Sequence, residues 1–185
     1  PRGSEGDCRG VAVAIRRIVL LGEEVLRVRG EEVTTFDSEL NSLVQDMLET
    51  MYHAEGIGLA APQIGVSLRV CVLDLGVKEG SEAGHWVLVN PMVAKTSKKT
   101  VKAPEGCLSI PEIEEVVTRF SKVTVSATDA SGRPLEIEAE GLLARALQHE
   151  IDHLDGVLFI DQVSPLKRRL ALRKWKKSQE ESLDE

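Results

Sequence analysis

The segment His149-Glu150-Ile151-Asp152-His153 governs how the rest of the chain is read. It lies in an apolar-periodic stretch, Leu142 to Leu154, that predicts a helix closed at Asp155-Gly156. Residues i and i+4 of a helix sit one turn apart on the same face, so His149 and His153 can grip one metal ion. Glu150 follows His149 directly and can lean toward a water at that ion as general base. Helices also carry two histidines at this spacing by chance, and two ligands do not complete a site. No histidine follows His153, and Asp155, Asp161, Glu180 and Glu181 stay open as a third ligand on composition alone.

A better third ligand lies upstream. Cys107 stands in Glu105-Gly106-Cys107-Leu108-Ser109-Ile110-Pro111, and a thiolate suits divalent iron or zinc. With two imidazoles it leaves one coordination position open, as a catalytic site needs. Taken alone, Cys107 reads as a small buried hydrophobe, which is the reading given to Cys71 within Val70-Cys71-Val72-Leu73. The third segment is Gly56-Ile57-Gly58-Leu59-Ala60-Ala61-Pro62-Gln63. Its small residues let a backbone come close to a ligand, although a tight turn would need them too. It lacks the Gly-Lys-Ser/Thr ending of a phosphate loop.

Around these segments the pattern is α+β. Leu40, Leu43, Val44, Met47, Leu48 and Met51 form one stripe, predicting a helix over Asp37 to Ala54 capped by Asp37 and ended by Gly56. Arg69 to Leu75, Trp86 to Asn90, Val116 to Arg119, Lys122 to Asp129 and Leu135 to Ala139 read as strands. Val101 to Pro111 reads as a loop with strand flanks, and Ser131 to Pro134 as a turn. A last helix is predicted from Ser164-Pro165 to Gln179. The expected fold is mostly antiparallel sheet packed around a central HExxH-type metal-binding helix, with a C-terminal helix.

Composition narrows the classes. The 185 residues suit one domain, and 42% hydrophobic with 29% charged residues is ordinary for a globular protein. Thirty acidic against 23 basic residues give a net charge of −7, which excludes a nucleic-acid coat. Three cysteines do not make a secreted disulfide framework. No apolar run approaches the roughly 20 residues that span a bilayer, so no membrane partner is expected and the cytoplasm is the default compartment. Residues 1–12 read as a disordered leader or an expression remnant, 13–163 as the catalytic unit and 164–185 as a basic helix and tail.

Together the three segments resemble the ordered signatures of the peptide deformylases, GxGLAAPQ, EGCLS and QHExDH, here Gly56 to Gln63, Glu105 to Ser109 and Gln148 to His153. The resemblance runs from about Ile15 to about Lys167. It implies a hydrolase that removes the N-formyl group from the formylmethionine of nascent polypeptides and releases formate. It implies that Cys107, His149 and His153 ligate the metal, Fe(2+) first, with Zn(2+) or Ni(2+) as substitutes. It implies that Glu150 moves the proton, while Gln63 and the Leu108 N–H hold the oxyanion. Gly58 and Gly106 would pair with the substrate backbone, and Ile57, Leu142, Ala146 and the stem of Arg145 would line the methionine pocket. Glu105 is expected to pair with Arg119 behind Cys107.

One position departs from the pattern. Many members carry Arg where Glu114 stands, and Glu112, Glu114 and Glu115 make this rim acidic. The basic run from Lys167 to Lys177 holds seven cations in eleven positions. A solvated helix is its bland reading, and the resemblance implies a ribosome contact through it. A longer-clefted HExxH peptidase and an inactive ribosome-docking module are the competing readings. The full set of reacting groups argues against the second.

Overall fold

The Asp37 carboxylate accepts hydrogen bonds from the backbone N–H groups of Glu39 and Leu40, both at 3.0 Å. That caps α1 (Ser38–His53), whose residues Leu40, Val44, Met47, Leu48 and Met51 are buried as the periodicity requires. The computed structural model describes residues 13–76 and 84–183. The expected leader over 1–12 and the last two residues of the tail lie outside them.

After α1 come β1 (Gly58–Ala60), β2 (Val70–Leu73), β3 (Trp86–Thr96), β4 (Thr100–Cys107), β5 (Ile110–Phe120), β6 (Lys122–Thr128) and β7 (Pro134–Glu140). Two helices follow, α2 (Gly141–Leu154) and α3 (Pro165–Leu183). The five-stranded sheet runs β1-β2-β3-β6-β7, and β4 and β5 form a separate pair. Every strand pair is antiparallel.

Strand alternation divides the core between the two faces of the large sheet. Cys71, Leu73 and Leu88 pack with Leu147, Ile151 and Leu154 of α2. Val70, Val72 and Val89 pack with Val44, Met47 and Met51 of α1. β2 is therefore buried on both faces, which explains its unbroken apolar run. A third cluster joins Ile110, Ile113 and Val117 of β5 to Phe159, Ile160 and, from α3, Ala171 and Trp175.

Four local expectations need correction. The stretch expected as a loop, Val101 to Pro111, is mostly strand: β4 pairs with β5 from Thr100↔Phe120 to Gly106↔Glu114. Pro104 and Gly106 look like breakers, but β4 has one partner strand only, and an edge strand tolerates a missing donor. β3 continues past Pro91 to Thr96 through register shifts against β6. α1 ends at His53 with Ala54 as its cap, and Glu55 (φ +54°), not Gly56, takes the left-handed position after it.

The fourth correction concerns α3. It runs past Gln179 to Leu183, and its docked face carries Ala171 and Trp175, while Leu166 and Leu170 are exposed.

The exit from α2 is the tightest approach to backbone among the described glycines. Gly156 has φ +74°, and a Cβ there would lie 2.7 Å from the Arg27 carbonyl oxygen. Backbone on both sides prevents relief. Gly156→Ala is expected to lower the unfolding free energy by about 2–4 kcal/mol, combining left-handed strain with a rigid clash. Urea unfolding of the two proteins measures it, and equal midpoints would show that the contact yields freely.

Candidate metal centre and catalytic cleft

α2 lies under the sheet with Gly141 at its start; His149 and Glu150 line one end of a cleft, and His153 is buried one helical turn beyond His149. β4 ends at Cys107, and the short turn to Ile110 presents Cys107 and Leu108 from above. The Sγ of Cys107 lies 3.3 Å from His153 Nε2, and the two Nε2 atoms lie 3.2 Å apart. All three donors fall within 4.8 Å of one another. Ligands held tetrahedrally at ~2.0–2.3 Å from one ion sit about 3.3–3.7 Å from each other, so the set fits a divalent metal.

Burial and charged neighbours move the two imidazoles in opposite directions. Burial pushes His149 down, but its hydrogen-bonded neighbours Cys107 and Glu105 outweigh that and raise it to about 10. His153 lies well below its ordinary value, because burial and the positive charges of His149, Arg119 and Arg27 all oppose a second proton.

Behind the donors stands Glu105. Its Oε1 accepts from Arg119 Nε at 2.9 Å and from Arg145 NH1 at 2.7 Å. Its Oε2 accepts from Arg119 NH2 at 3.0 Å and from His149 Nδ1 at 3.0 Å. The last contact turns His149 Nε2 toward the donor cluster. Burial alone would raise Glu105, yet the His149 and Arg119 contacts hold it at about 2.

Two members of this network were not given these roles from the sequence. Arg145 was read for its stem, but its head also donates to the carbonyls of Val117 and Val101 at 3.0 and 2.7 Å. Asp152 accepts from Arg119 NH1 at 2.5 Å. The available signal was spacing: Arg145 precedes His149 by four residues and Asp152 follows it by three.

Glu150 is buried, and its Oε2 has no partner among the described residues. Burial pushes its carboxyl up to about 7, the range suited to proton transfer near neutrality. Its Oε1 packs against Gly58, where an added Cβ would come within 2.4 Å. Gln63 sits in the turn after β1. Its Oε1 accepts from Ala60 N–H at 2.9 Å, which aims Nε2 at Cys107 Sγ (3.4 Å) and Ser109 Oγ (3.2 Å). Ser109, fully buried, stands in the Glu105 to Ser109 segment but was given no role there.

Gln63, Glu105, Cys107, His149 and Glu150 line a cavity of about 610 Å³. It is also lined by Ile57, Gly58, Gly106, Leu108, Leu142 and Ala146, so it gathers the residues expected for the substrate pocket. Ile57 and Leu142 are exposed apolar side chains at its mouth.

The polypeptide deformylase family model matches residues 15–169. A peptide deformylase of Acidobacterium capsulatum is 52% identical over 165 residues, covering 89% of this chain and 96% of its own. A peptide deformylase structure from Legionella pneumophila superposes with TM-score 0.85 at 49% identity, covering 93% of this chain and 99% of that one. The Ehrlichia chaffeensis peptide deformylase solved in complex with actinonin matches with TM-score 0.84 at 39% identity, over 90% and 98% of the two chains.

Glu105→Gln keeps the shape but removes the charge facing two guanidinium groups. It is expected to destabilise the fold by about 3 kcal/mol. Metal affinity should fall about 10–100-fold, because His149 loses its orienting acceptor. Urea melts and competitive metal titration measure both. Unchanged affinity would mean that the Glu105 contact does not position His149.

Proposed function

Given that this chain belongs to the polypeptide deformylase family, hydrolases that remove the N-formyl group from nascent polypeptides, we propose that Cys107, His149 and His153 hold its metal and that Glu150 carries the proton. The observation that carries this reading is the convergence of those three donors beside a buried carboxylate with an unpartnered oxygen, at the floor of one cleft. The family resemblance puts Fe(2+) first, with Zn(2+) or Ni(2+) as substitutes, because this donor set suits several divalent metals. Such an ion supplies a Lewis acid that makes a water nucleophilic at neutral pH.

The residues divide the remaining work. Glu150 accepts one proton from the attacking water and returns it to the departing nitrogen, so the amide C–N bond breaks to formate and a free amine. Gln63 Nε2 and the Leu108 N–H donate to the oxygen that gains charge. β1 is the outer strand of the large sheet, and β4 has β5 as its one partner. A peptide lying between Gly58 and Gly106 adds as a strand to both edges. Ile57, Leu142, Ala146 and the Arg145 stem then receive the methionine side chain, covering the exposed apolar mouth.

The C-terminal helix serves a separate contact. Lys167, Arg168, Lys176 and Lys177 have acidic neighbours within 4.0 Å. Arg169 and Arg173 are exposed on the same helix. We read α3 as a ribosome-docking surface that binds phosphates through counterion release, and the enzyme as cytoplasmic. No described helix is long and apolar enough to cross a membrane.

Two variants test the chemistry together. Glu150→Gln is expected to keep its metal and lose at least ~10²-fold in kcat on formyl-Met peptides. Cys107→Ser is expected to lose metal and activity in parallel, since a hydroxyl replaces a thiolate. Metal analysis under anaerobic purification, beside the assay, separates them. Full activity of either variant would remove its residue from the assigned role.

Charge removal tests the helix without exposing the core that Ala171 and Trp175 help to close. Arg169→Gln with Arg173→Gln should leave peptide turnover unchanged and weaken ribosome binding several-fold at low salt. Equal ribosome affinity would return α3 to a solvated helix.

A further inference from the structure

We propose that the mouth of this cleft selects cationic side chains in the residues that follow the formylated methionine, through Glu55, Glu112 and Glu114. The proposal rests on the deformylase reading and specifies substrate class within it. All three glutamates line the cavity that holds the donor cluster, and all three are exposed. The other charged side chains of the lining belong to its floor. Glu105, Arg145 and His149 are bound to one another, and Glu150 is buried.

The cavity contains one lining cation besides the histidine. That is Arg145, whose two terminal nitrogens are committed to Glu105, Val117 O and Val101 O. The mouth therefore presents carboxylates without a lining cation to balance them. Among the described residues none of the three carboxylates is in an ion pair, whereas the neighbouring Glu115 is matched by Lys167 at 3.5 Å. Lys174 does reach this rim, but its ammonium donates to the Glu112 backbone carbonyl at 2.9 Å. It offsets Glu112 in part and leaves Glu114 and Glu55 as the stronger poles.

The acids are placed for a peptide rather than scattered. Glu114 follows the buried Ile113, so strand alternation puts it on the open side of β5, while Glu112 (φ +64°) is exposed at the irregularity where the β4–β5 register shifts. Glu114 is in register with Gly106 of β4, the edge at which an added strand would lie. Glu55 stands on the opposite bank, three residues before Gly58 of β1. A chain extended between the banks turns alternate side chains away from the floor and past these carboxylates. The buried, unpartnered Glu150 Oε2 in the same cavity marks it independently as a place built to receive a polar ligand.

The size of the effect follows from charge and distance. Each unit pair about 6 Å apart in water changes a rate constant about threefold. Two or three such pairs give roughly tenfold, and salt near 0.5 M (about 4 Å Debye length) removes most of it.

The test uses the whole metal-loaded enzyme and three C-terminally amidated peptides, formyl-Met-Lys-Lys, formyl-Met-Ala-Ala and formyl-Met-Glu-Glu. At low salt kcat/KM should be roughly tenfold higher for the lysine peptide than for the alanine one, and lower again for the glutamate one. High salt should compress that order. The variant Glu55→Gln/Glu112→Gln/Glu114→Gln should abolish it. The readout is the ratio between peptides within each protein, so a general change in activity does not enter. Turnover of the alanine peptide reads the deformylase assignment by itself. Equal kcat/KM for the three peptides in the unmodified enzyme at low salt, or an order that survives the triple variant, overturns the proposal.

Discussion

One buried carboxylate ties the working parts of this molecule together. Glu105 on β4 accepts from Arg119 on β5 and from Arg145 and His149 on α2. Four donor contacts fill the lone-pair directions that a carboxylate offers. Taking these charges out of water costs several kcal/mol per ion, and only a saturated network offsets it. With Asp152 on the other side of Arg119, two carboxylates face two guanidinium groups, and the charges balance. The β4–β5 pair is not hydrogen-bonded into the large sheet. Its position over α2, and so the position of Cys107 over the histidines, depends on this polar contact and on the apolar cluster beneath β5.

The division between apolar and polar joints has a physical logic. Hydrophobic contacts hold α1 and α2 against the large sheet, and they are strong but non-directional. A metal site needs its donors fixed to within a fraction of an ångström, which apolar packing alone does not specify. Directional contacts therefore appear where the donors are: Glu105 turns His149, and the Ala60 N–H turns Gln63.

The sequence was most legible where a period or a spacing speaks for itself. The stripe of α1, the strand at β2 and the i, i+4 pair of α2 all follow from residue order. Cys107 could be chosen over Asp155 or Asp161 through the ordered motifs, because its position depends on how β4 crosses α2. β4 itself was hidden because Pro104 and Gly106 carry loop signals whose meaning changes at an edge strand. Arg145 and Asp152 were hidden for another reason: their partners are far away in sequence, Glu105 forty residues from Arg145 and Arg119 thirty-three from Asp152. In α3 the apolar residues form no clean stripe, and the docked face, Ala171 and Trp175, shows only in the packing.

The two strand edges that border the cleft, those of β1 and β4, have a consequence for solubility. An unpaired edge invites any passing strand, and proteins normally blunt such edges to avoid aggregation. Here β1 is three residues long and both edges line a concave cleft. A neighbouring folded protein cannot bring the rim of its own sheet into that recess, but a lone extended chain can. Concavity thus acts as a filter on the physical state of the visitor: the backbone groups that would make the surface sticky are reserved for polypeptide that has not yet folded.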